Sequence, residues 1–562
     1  MRTYKKPYYM AAAALVSGAM GTAHAATTYT WTQAGGGARN WTDGTNWLGG
    51  VAPSPTSGDL ITMTLTQTAN TTLNLGADRT FEDWTMTLNG FQRTFTIDSG
   101  FTLTLAGANP TVTTNGNTAV QLSIKSVLAG SDGLIKDGIG LLLLENAGNT
   151  FTGDIGLAGG TLQANSVGAL GTSGLAKNFT VTGSSTLDVP AGTYTGSVSL
   201  GSGAVLTMRG NATRTFSAAV TGAGGLAIAS PSTFGSAITT LSSTSNTFTG
   251  SVEVGVGTQG PVSLTVNSLA DSANSLTLRS GTTNTRDASF IWGSGASSGL
   301  TLSQRQIVLA GSHDHIIENA NATAANAITV NTDVSVTGTA ATMLLQLQGV
   351  NAGENTIAGD IPNGASASLS VTKSGTGKWV LSGTNSYTGA TTVSQGTLLI
   401  NGDNSAATGA VTVDAAATLG GTGRVGGNTT LNGTLSPGQS PGTLTFDGDL
   451  TVNNGSTYSF EGGDLTDVNG ILDLNDNWTL ALGTGFQDGG SVTLFTYGSL
   501  AASPDLAPTF DLSGLGFTPS GVLSLTDTGS SITLEGISII PEPASLALIA
   551  LGGLLIATPR RR

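Results

Sequence analysis

The fold is decided by the stretch SVTKSGTGKWVLSGTNSYTGATTVSQGTLLI at residues 370–400. Residues 133–164 read GLIKDGIGLLLLENAGNTFTGDIGLAGGTLQA and follow the same order. Each stretch has a lysine with glycines two and four residues later, an apolar run, Asn-Thr/Ser-Phe/Tyr-Thr-Gly, and a closing Gly-Thr-Leu. A unit this short cannot bury its apolar face alone, so neighbouring units must stack into a continuous core. The sequence therefore predicts a solenoid.

The aromatic-Thr-Gly unit also occurs at residues 192–196 and 246–250. Short alternations of apolar and polar residues, such as residues 101–105 and 411–413, lie between these units and are typical of half-buried strands. Glycine and asparagine suit the corners of a coil because they tolerate positive φ. We expect the aromatic residue of each unit to pack in the core. The predicted repeat residues are Asn149, Phe151, Gly153, Asn246, Phe248, Gly250, Asn385, Tyr387 and Gly389.

The two long stretches closely resemble the autotransporter-associated β-strand repeat. That resemblance implies an all-β fold, a right-handed parallel β-helix (solenoid). The Pro-Gly pairs at residues 437–438 and 441–442 are similar to turns near the C-terminal end of autotransporter passengers. Residues 280–312 lack this regularity, and we expect them to form loops or excursions from the coil.

Composition narrows the classes of function. The chain has 562 residues, of which 82 are glycine and 10% are charged, with a net charge of −14. The negative charge argues against nucleic acid as a partner, since phosphates attract basic surfaces. The chain has no cysteine, so disulfides, thiolate nucleophiles and cysteine-ligated metals are excluded.

The N-terminus has the three parts of a secretory signal peptide. A basic segment at residues 1–6 precedes a small apolar run at 10–20 and an Ala-His-Ala sequence. An apolar run of this length is too short to span a membrane, so we predict cleavage rather than retention. The residues around the predicted cut are Ala23, Ala25 and Ala26.

The C-terminus has a second pattern that resembles a targeting signal. Pro-Glu-Pro precedes an apolar run at residues 544–557, and three arginines end the chain. This order resembles the PEP-CTERM sorting signal of exopolysaccharide-producing bacteria, which implies an exosortase-type processing enzyme as partner and transient contact of the short apolar helix with the inner membrane. The alternative is a lasting single-pass anchor, for which the run is short. The sorting residues are Pro541, Glu542, Pro543, Arg560, Arg561 and Arg562.

These patterns divide the chain into five predicted segments. They are a signal peptide at 1–25, an N-terminal cap and first strands at 26–100, the β-helix repeat region at 101–430, a C-terminal β-helix part and cap at 431–538, and the sorting signal at 539–562.

Candidates for metal binding are few. His313 and His315 lie two residues apart, with Asp314 and Glu318 nearby. Zinc normally requires a closed set of four ligands, and no further histidine completes one, so we favour a solvated turn. We therefore predict no metal and no cofactor.

The acidic stretch at residues 461–477 contains parts of a calcium loop. Asp467, Asn469, Gly470 and Asp476 match some ligand positions, but Leu465 stands where the loop should open. We favour a turn rich in Asp and Asn, and incidental surface calcium remains an alternative.

A tryptophan cluster lies near the N-terminus. Trp31, Trp41 and Trp47 could stack on sugar rings or cap the first turn of the solenoid. We favour capping, because terminal repeats need a cap.

Two functions remain open from the sequence. The first is an exported, non-catalytic structural or adhesin-like rod of the outer envelope surface or extracellular matrix, with exopolysaccharide or other surface components as possible partners. The alternative is a carbohydrate-active β-helix enzyme, a lyase or hydrolase acting on exopolysaccharide. The long repeats carry almost no spare charge for catalysis, so we predict that the chain is not an enzyme.

Overall fold

The structure, a computed structural model, is an all-β parallel solenoid. It describes residues 28–539 except 33–35, 55–58, 67–68, 90–93, 108–109, 116–120, 232–234, 256–259, 282–286, 339–340, 366–367 and 439–440. The strands lie in four sheets, and the parallel solenoid predicted from the repeats is confirmed. The helical segments within the described residues are short 3-10 helices at Gly44–Asn46, Val167–Leu170 and Gly174–Ala176.

Sheets 1 and 2 form the N-terminal part of the solenoid. Sheet 1 has 11 strands: Thr28–Trp31, Asp59–Thr66, Arg79–Asn89, Thr102–Leu105, Thr111–Asn115, Val127–Ala129, Leu134–Asp137, Ile155–Leu157, Phe179–Val181, Val198–Leu200 and Val220–Gly222. Sheet 2 has 13 strands: Gly37–Asn40, Thr71–Asn74, Thr94–Ile97, Gln121–Ile124, Leu141–Leu144, Gly160–Ala164, Ser185–Asp188, Val205–Arg209, Gly225–Ala229, Val252–Val254, Leu276–Arg279, Ile307–Ala310 and Ser335–Val336.

Sheets 3 and 4 form the C-terminal part. Sheet 3 has 19 strands: Gly192–Tyr194, Thr213–Phe216, Ala237–Leu241, Val262–Val266, Ala288–Trp292, Asp314–Asn319, Thr342–Gly349, Ser368–Lys373, Thr391–Val393, Asp403–Asn404, Val411–Val413, Arg424–Val425, Thr429–Leu431, Thr443–Phe446, Leu450–Val452, Leu465–Leu474, Phe486–Leu500, Ser524–Asp527 and Ser531–Ile539. Sheet 4 has 10 strands: Leu300–Leu302, Ile328–Val330, Asn355–Ile357, Lys378–Leu381, Gly396–Ile400, Ala417–Gly421, Thr434–Pro437, Thr457–Phe460, Thr479–Leu482 and Thr509–Asp511.

The sheets replace one another along the solenoid. Sheet 3 begins at Gly192, before sheet 1 ends at Gly222, and sheet 4 begins at Leu300, before sheet 2 ends at Val336. The core therefore continues unbroken from sheets 1 and 2 to sheets 3 and 4.

Inward-facing side chains stack in register from turn to turn. Most strands bury alternate residues, as in Thr94–Ile97 and Leu141–Leu144, because successive side chains point to opposite faces. The parallel register then places one buried aliphatic residue above another. One such column in sheet 2 consists of Leu122, Leu142, Leu162, Leu187, Met208, Ile228, Val254, Leu278 and Leu309. Every member is at most 1% exposed, so the column forms a continuous apolar core.

The expectation of loops at residues 280–312 is wrong. The segment contains the strands Ala288–Trp292, Leu300–Leu302 and Ile307–Ala310, which pair in parallel with neighbouring turns. Phe290 and Trp292 are buried in the core. The apolar residues of this segment do not follow the spacing of the repeat motif, but they alternate with other residues as in a strand. Pairing with the adjacent turns holds the segment in the extended conformation.

The solenoid changes its pairing at its C-terminal end. Ser531–Ile539 runs antiparallel to Phe486–Leu500 and to Ser524–Asp527. The short strand Ser524–Asp527 ends in an exposed aspartate, a feature that discourages further strand addition at a sheet edge.

Candidate functional site

The lysine of each long repeat lies inside the solenoid. The Nζ of Lys373 donates to the carbonyl oxygens of Ser374 (2.8 Å), Gly375 (2.7 Å) and Gln395 (3.0 Å). The first two oxygens belong to its own corner and the third to the corner of the next turn. The ammonium group therefore joins two successive turns by three charge-assisted hydrogen bonds.

Lys136 repeats this geometry in the first copy. Its Nζ donates to the carbonyl oxygens of Asp137 (2.6 Å), Gly138 (2.7 Å) and Gly159 (3.0 Å). Both lysines are fully buried, and burial lowers the pKa of each to about 8. The group is thus still protonated at neutral pH.

The glycines of the repeat leave space for the buried lysine side chain and its three hydrogen bonds. Gly396 has a φ of +70°, and a Cβ there would lie 2.8 Å from the Nζ of Lys373. Gly375 also has a φ of +70°. A side chain at either position would be strained by its backbone conformation, and at Gly396 it would also displace the ammonium group.

The asparagines of the repeat motif form hydrogen bonds with the backbone of neighbouring turns. The side chain of Asn149 accepts from the backbone N–H of Leu128 (2.8 Å) and donates to the carbonyl of Ala169 (2.8 Å). Asn246 and Asn385 also accept a backbone N–H from another turn, each at 2.9 Å. Because the partners lie about 20 residues away on either side, one amide links three turns.

The motif aromatics and glycines have packing roles. Phe151, Phe248 and Tyr387 are at most 1% exposed, and the Tyr387 hydroxyl lies 2.9 Å from the Thr391 hydroxyl. A Cβ at Gly389 would lie 2.5 Å from the backbone oxygen of the preceding turn, so only glycine allows this approach.

Sequence reasoning missed several further buried cations. Lys177 donates to the carbonyls of Phe151 (3.1 Å) and Gly153 (2.6 Å), with its ammonium 4.7 Å from the centre of the Phe151 ring. The guanidinium of Arg305 donates to the carbonyls of residues 250, 270 and 275. The only local signal was the Lys-x-Gly-x-Gly spacing, which Lys177 and Arg305 lack.

The tryptophans of the N-terminal cluster are buried. Trp31, Trp41 and Trp47 are 1–2% exposed, and the rings of Trp31 and Trp41 both lie 5.0 Å from that of Trp47. The Trp47 indole N–H donates to the carbonyl of Trp41 (2.9 Å). The rings are buried and pack edge-to-face or tilted against one another, so they have no exposed face on which a sugar could stack.

The solvated turn expected around His315 is wrong. Asp314–Asn319 is a strand of sheet 3, and His315 is fully buried with Nε2 2.7 Å from the carbonyl oxygen of Ala310. Burial lowers the pKa of His315. No group of three or more His, Cys, Asp or Glu side chains in the described part of the chain could hold a metal ion.

The acidic stretch is also a strand rather than the expected turn. Leu465–Leu474 pairs on both sides within sheet 3. Asp467 accepts from the Thr496 hydroxyl (2.5 Å), and Asn469 donates to Asp447 (2.8 Å). These cross-strand hydrogen bonds hold Asp467 and Asn469 in an extended strand rather than in the loop that would wrap a calcium ion.

An outer face of sheet 3 carries a column of hydroxyl side chains. In sheet 3, Thr372, Thr392, Thr412, Thr430 and Thr451 form one outward column, one residue per turn. The corresponding column in the first repeat is Ile135, Gly156 and Thr180 in sheet 1. The two repeats therefore share the buried lysine and its hydrogen bonds but differ in their outer surfaces.

The predicted signal-peptide and sorting residues lie outside the described residues. These are Ala23, Ala25, Ala26, Pro541, Glu542, Pro543, Arg560, Arg561 and Arg562. Between residues 28 and 539, the described part contains no helix long and apolar enough to cross a membrane.

Comparison with known proteins places the class of repeat. Residues 134–164 and 371–400 match the family model of the passenger-associated-transport-repeat. The chain is also 37% identical over 221 residues to a protein of Brucella suis biovar 1 (strain 1330) named adhesin BmaC autotransporter. That likeness covers 37% of this chain and 6% of the Brucella protein, so the chain spans a small part of its relative. The autotransporter-type repeats expected from the sequence are confirmed.

Proposed function

We propose that this chain is an exported, non-catalytic, adhesin-like β-solenoid of the cell surface or extracellular matrix. The observation that carries the proposal is the pair of passenger-type repeats built into the solenoid. The likeness to a protein named as an adhesin supports the same role. A stack of strands presents its outer faces along its whole length, which suits a protein that connects a cell to another surface.

The use of the buried charges supports a non-catalytic role. A general acid or base must reach a proton on its substrate. Lys136 and Lys373 are fully buried with their ammonium groups bound to carbonyl oxygens. Arg305 is likewise fully buried and bound to the backbone. These cations stabilise the solenoid and are closed to a substrate, whereas a polysaccharide lyase or hydrolase needs charged groups in an open groove.

An activity measurement distinguishes a non-catalytic, adhesin-like solenoid from a polysaccharide lyase or hydrolase. The purified protein is incubated with exopolysaccharide of the native host, and co-sedimentation and the release of reducing ends are measured together. We expect co-sedimentation without chain cleavage. Reducing ends released by the folded protein, and not by a heat-denatured sample, would contradict the non-catalytic role.

We also propose that the two termini direct export and sorting. The N-terminal signal would be cut after Ala25. Pro541–Glu542–Pro543 would form the extended junction that an exosortase-type enzyme cuts, since prolines cannot continue the apolar helix. The terminal arginines would stay cytoplasmic until that cut.

Mass spectrometry of the protein from fractionated host cells tests the sorting proposal. We expect a mature C-terminus near residues 541–543 in the envelope surface or matrix fraction. An intact Arg562 in the inner membrane would show that the tail is an anchor and would overturn the proposal.

A further inference from the structure

A trench crosses the outer face of sheet 1 at the first repeat. Its floor is the strand Ile155–Leu157, where Gly156 has no side chain, and its walls are Ile135 on one side and Thr180 with Thr182 on the other. Asp154 lies at one end. We call this feature the Gly156 trench. The strands that carry its two walls are two strand spacings apart, or about 10 Å.

The second repeat shows why the trench exists. There Thr392 stands where the first repeat has Gly156, and Thr372 stands where it has Ile135. Three consecutive threonines thus fill the column with Thr412 as the third, and the outer surface is continuous. A Cβ at Gly156 would lie 2.9 Å from Cγ1 of Ile135, so the Ile135 side chain leans over Gly156 and the two residues shape the trench together. The hydrogen bonds of the buried lysine are the same in both repeats.

The dimensions of the trench suit a small ligand. Its volume is about 430 Å³, within the range of roughly 300–1,000 Å³ typical of small-molecule sites. The Ile135 side chain offers an apolar wall, and the hydroxyls of Thr180 and Thr182 offer donors and acceptors opposite it. A pyranose ring has the same combination of apolar C–H faces and equatorial hydroxyls.

The charge of the lining selects against anions. Asp154 is the charged side chain among the lining residues, and its carboxylate accepts from the backbone N–H (3.1 Å) and side-chain amide (2.9 Å) of Asn178. The nearby Lys177 ammonium points inward to the carbonyl of Gly153. An acidic sugar would therefore meet the Asp154 carboxylate, while the Lys177 ammonium, close enough to interact with Asp154, is held by backbone carbonyls and does not line the trench.

The backbone of the trench floor selects against peptides. Ile155–Leu157 is paired in parallel with Leu134–Asp137 on one side and Phe179–Val181 on the other. A peptide that added as a strand would need a free edge, and this strand has none. Recognition must come from side chains.

We propose that the Gly156 trench binds a neutral sugar unit of a polysaccharide. This inference deepens the adhesin-like function and rests on it only for its biological use. The sugar packs an apolar face on Ile135, its hydroxyls bond to Thr180 and Thr182, and the Asp154 carboxylate accepts from a hydroxyl at the end of the trench.

Binding to defined sugars tests the trench. The probes are neutral tetrasaccharides of glucose, mannose, galactose and N-acetylglucosamine, with a heparin tetrasaccharide as the anionic comparison. We expect the full chain to bind at least one neutral probe and not the anionic one. Binding of none of the neutral probes, or of heparin alone, would overturn the proposal.

Matched variants locate the binding. Ile135→Thr with Gly156→Thr copies the surface of the second repeat and should weaken binding at least about tenfold, because the sugar loses its space and its bonds. Thr180→Val with Thr182→Val keeps the β-branched shape and removes only the hydroxyls, so it should weaken binding about tenfold in a fold that stays intact.

The reciprocal change is the control. Thr372→Ile with Thr392→Gly leaves the Gly156 trench untouched, so the affinity of that site should be unchanged, and a second bound sugar per chain would show that the copied surface also binds. If the filled-trench variant bound sugar as the unmodified chain does, with the same melting temperature, the trench would not be the site. The sugar titration measures binding at the trench alone, whereas attachment of whole cells tests the proposed adhesin-like function. Either proposal can therefore be contradicted without the other.

Discussion

Replacing Lys373 with methionine would remove an ammonium group that joins two turns while keeping most of its aliphatic stem. Three backbone carbonyls would lose a charge-assisted donor, at 2.7–3.0 Å in the folded chain. Hydrogen bonds to a charged group contribute about 1.5–3 kcal/mol each, so the loss of three bonds before any offset is roughly 4.5–9 kcal/mol.

Part of that loss is offset. Burial lowers the pKa of Lys373 from 10.5 to about 8, which corresponds to a cost of about 3 kcal/mol for holding the charge inside at neutral pH. We therefore expect Lys373→Met to destabilise the local structure by about 1–6 kcal/mol net. The loss should concentrate in the turns around Lys373, because each turn of a solenoid contacts mainly its neighbours.

Hydrogen exchange followed by mass spectrometry measures this locally. Peptides covering residues 368–400 should lose protection in Lys373→Met, while peptides of the first repeat should not. Lys378→Met is the matched control, because the Lys378 ammonium is 3.9 Å from Glu354 at a partly exposed site and such pairs contribute at most about 1 kcal/mol. Equal losses of protection in the two variants would refute the role assigned to the buried lysine.

Three further predictions follow from other buried groups. Asn385→Ala leaves the backbone N–H of Ile361 without its acceptor, so the same exchange measurement should show a local loss of about 1–3 kcal/mol; unchanged protection would contradict the bridging role. Trp47→Ala removes a fully packed ring and should cost about 3–5 kcal/mol, with early proteolysis confined to residues 28–100; cleavage spread over the whole chain would argue against a local cap. Burial raises the pKa of Asp464 from 3.8 to about 6, so the folded chain binds more protons in that window and its stability falls as pH rises through it. Urea titrations near pH 4 and pH 7 should show this fall, up to about 3 kcal/mol, in the unmodified chain and not in Asp464→Asn, and identical pH profiles would refute it.

The architecture could be predicted because its signals are local. The alternation around residues 101–105 and the paired glycines after Lys136 and Lys373 reflect single strands and single corners. Each turn of the solenoid repeats a similar arrangement of strands and corners, so two recognisable copies of the repeat indicate a parallel stack of turns. The burial of the motif aromatics follows from the same pattern, since an apolar ring at a regular position in a stacked coil faces inward.

The roles that depend on neighbouring turns could not be predicted. The third acceptor of Lys373 is the carbonyl of Gln395, which lies in the next turn. The segments around His315 and Asp467 have the composition of turns, yet strands on both sides hold them extended. Pairing between turns overrides local preference in such cases.

The Gly156 trench had a signal in the sequence, but only in comparison. Gly156 aligns with Thr392 between the two long repeats, a change from no side chain to a β-branched one at an outward position. That difference gains a meaning only when the register shows which side chains stand on either side of it.

Attachment of cells tests the central claim most directly. A strain of the native host that lacks this chain is compared under flow with the same strain carrying the chain again, on a surface coated with the host's own matrix polysaccharide. The account predicts that the deletion strain detaches more readily and that restoring the full chain restores attachment. Equal retention of the two strains, with the chain detected on the surface of intact cells, would contradict an adhesin-like role.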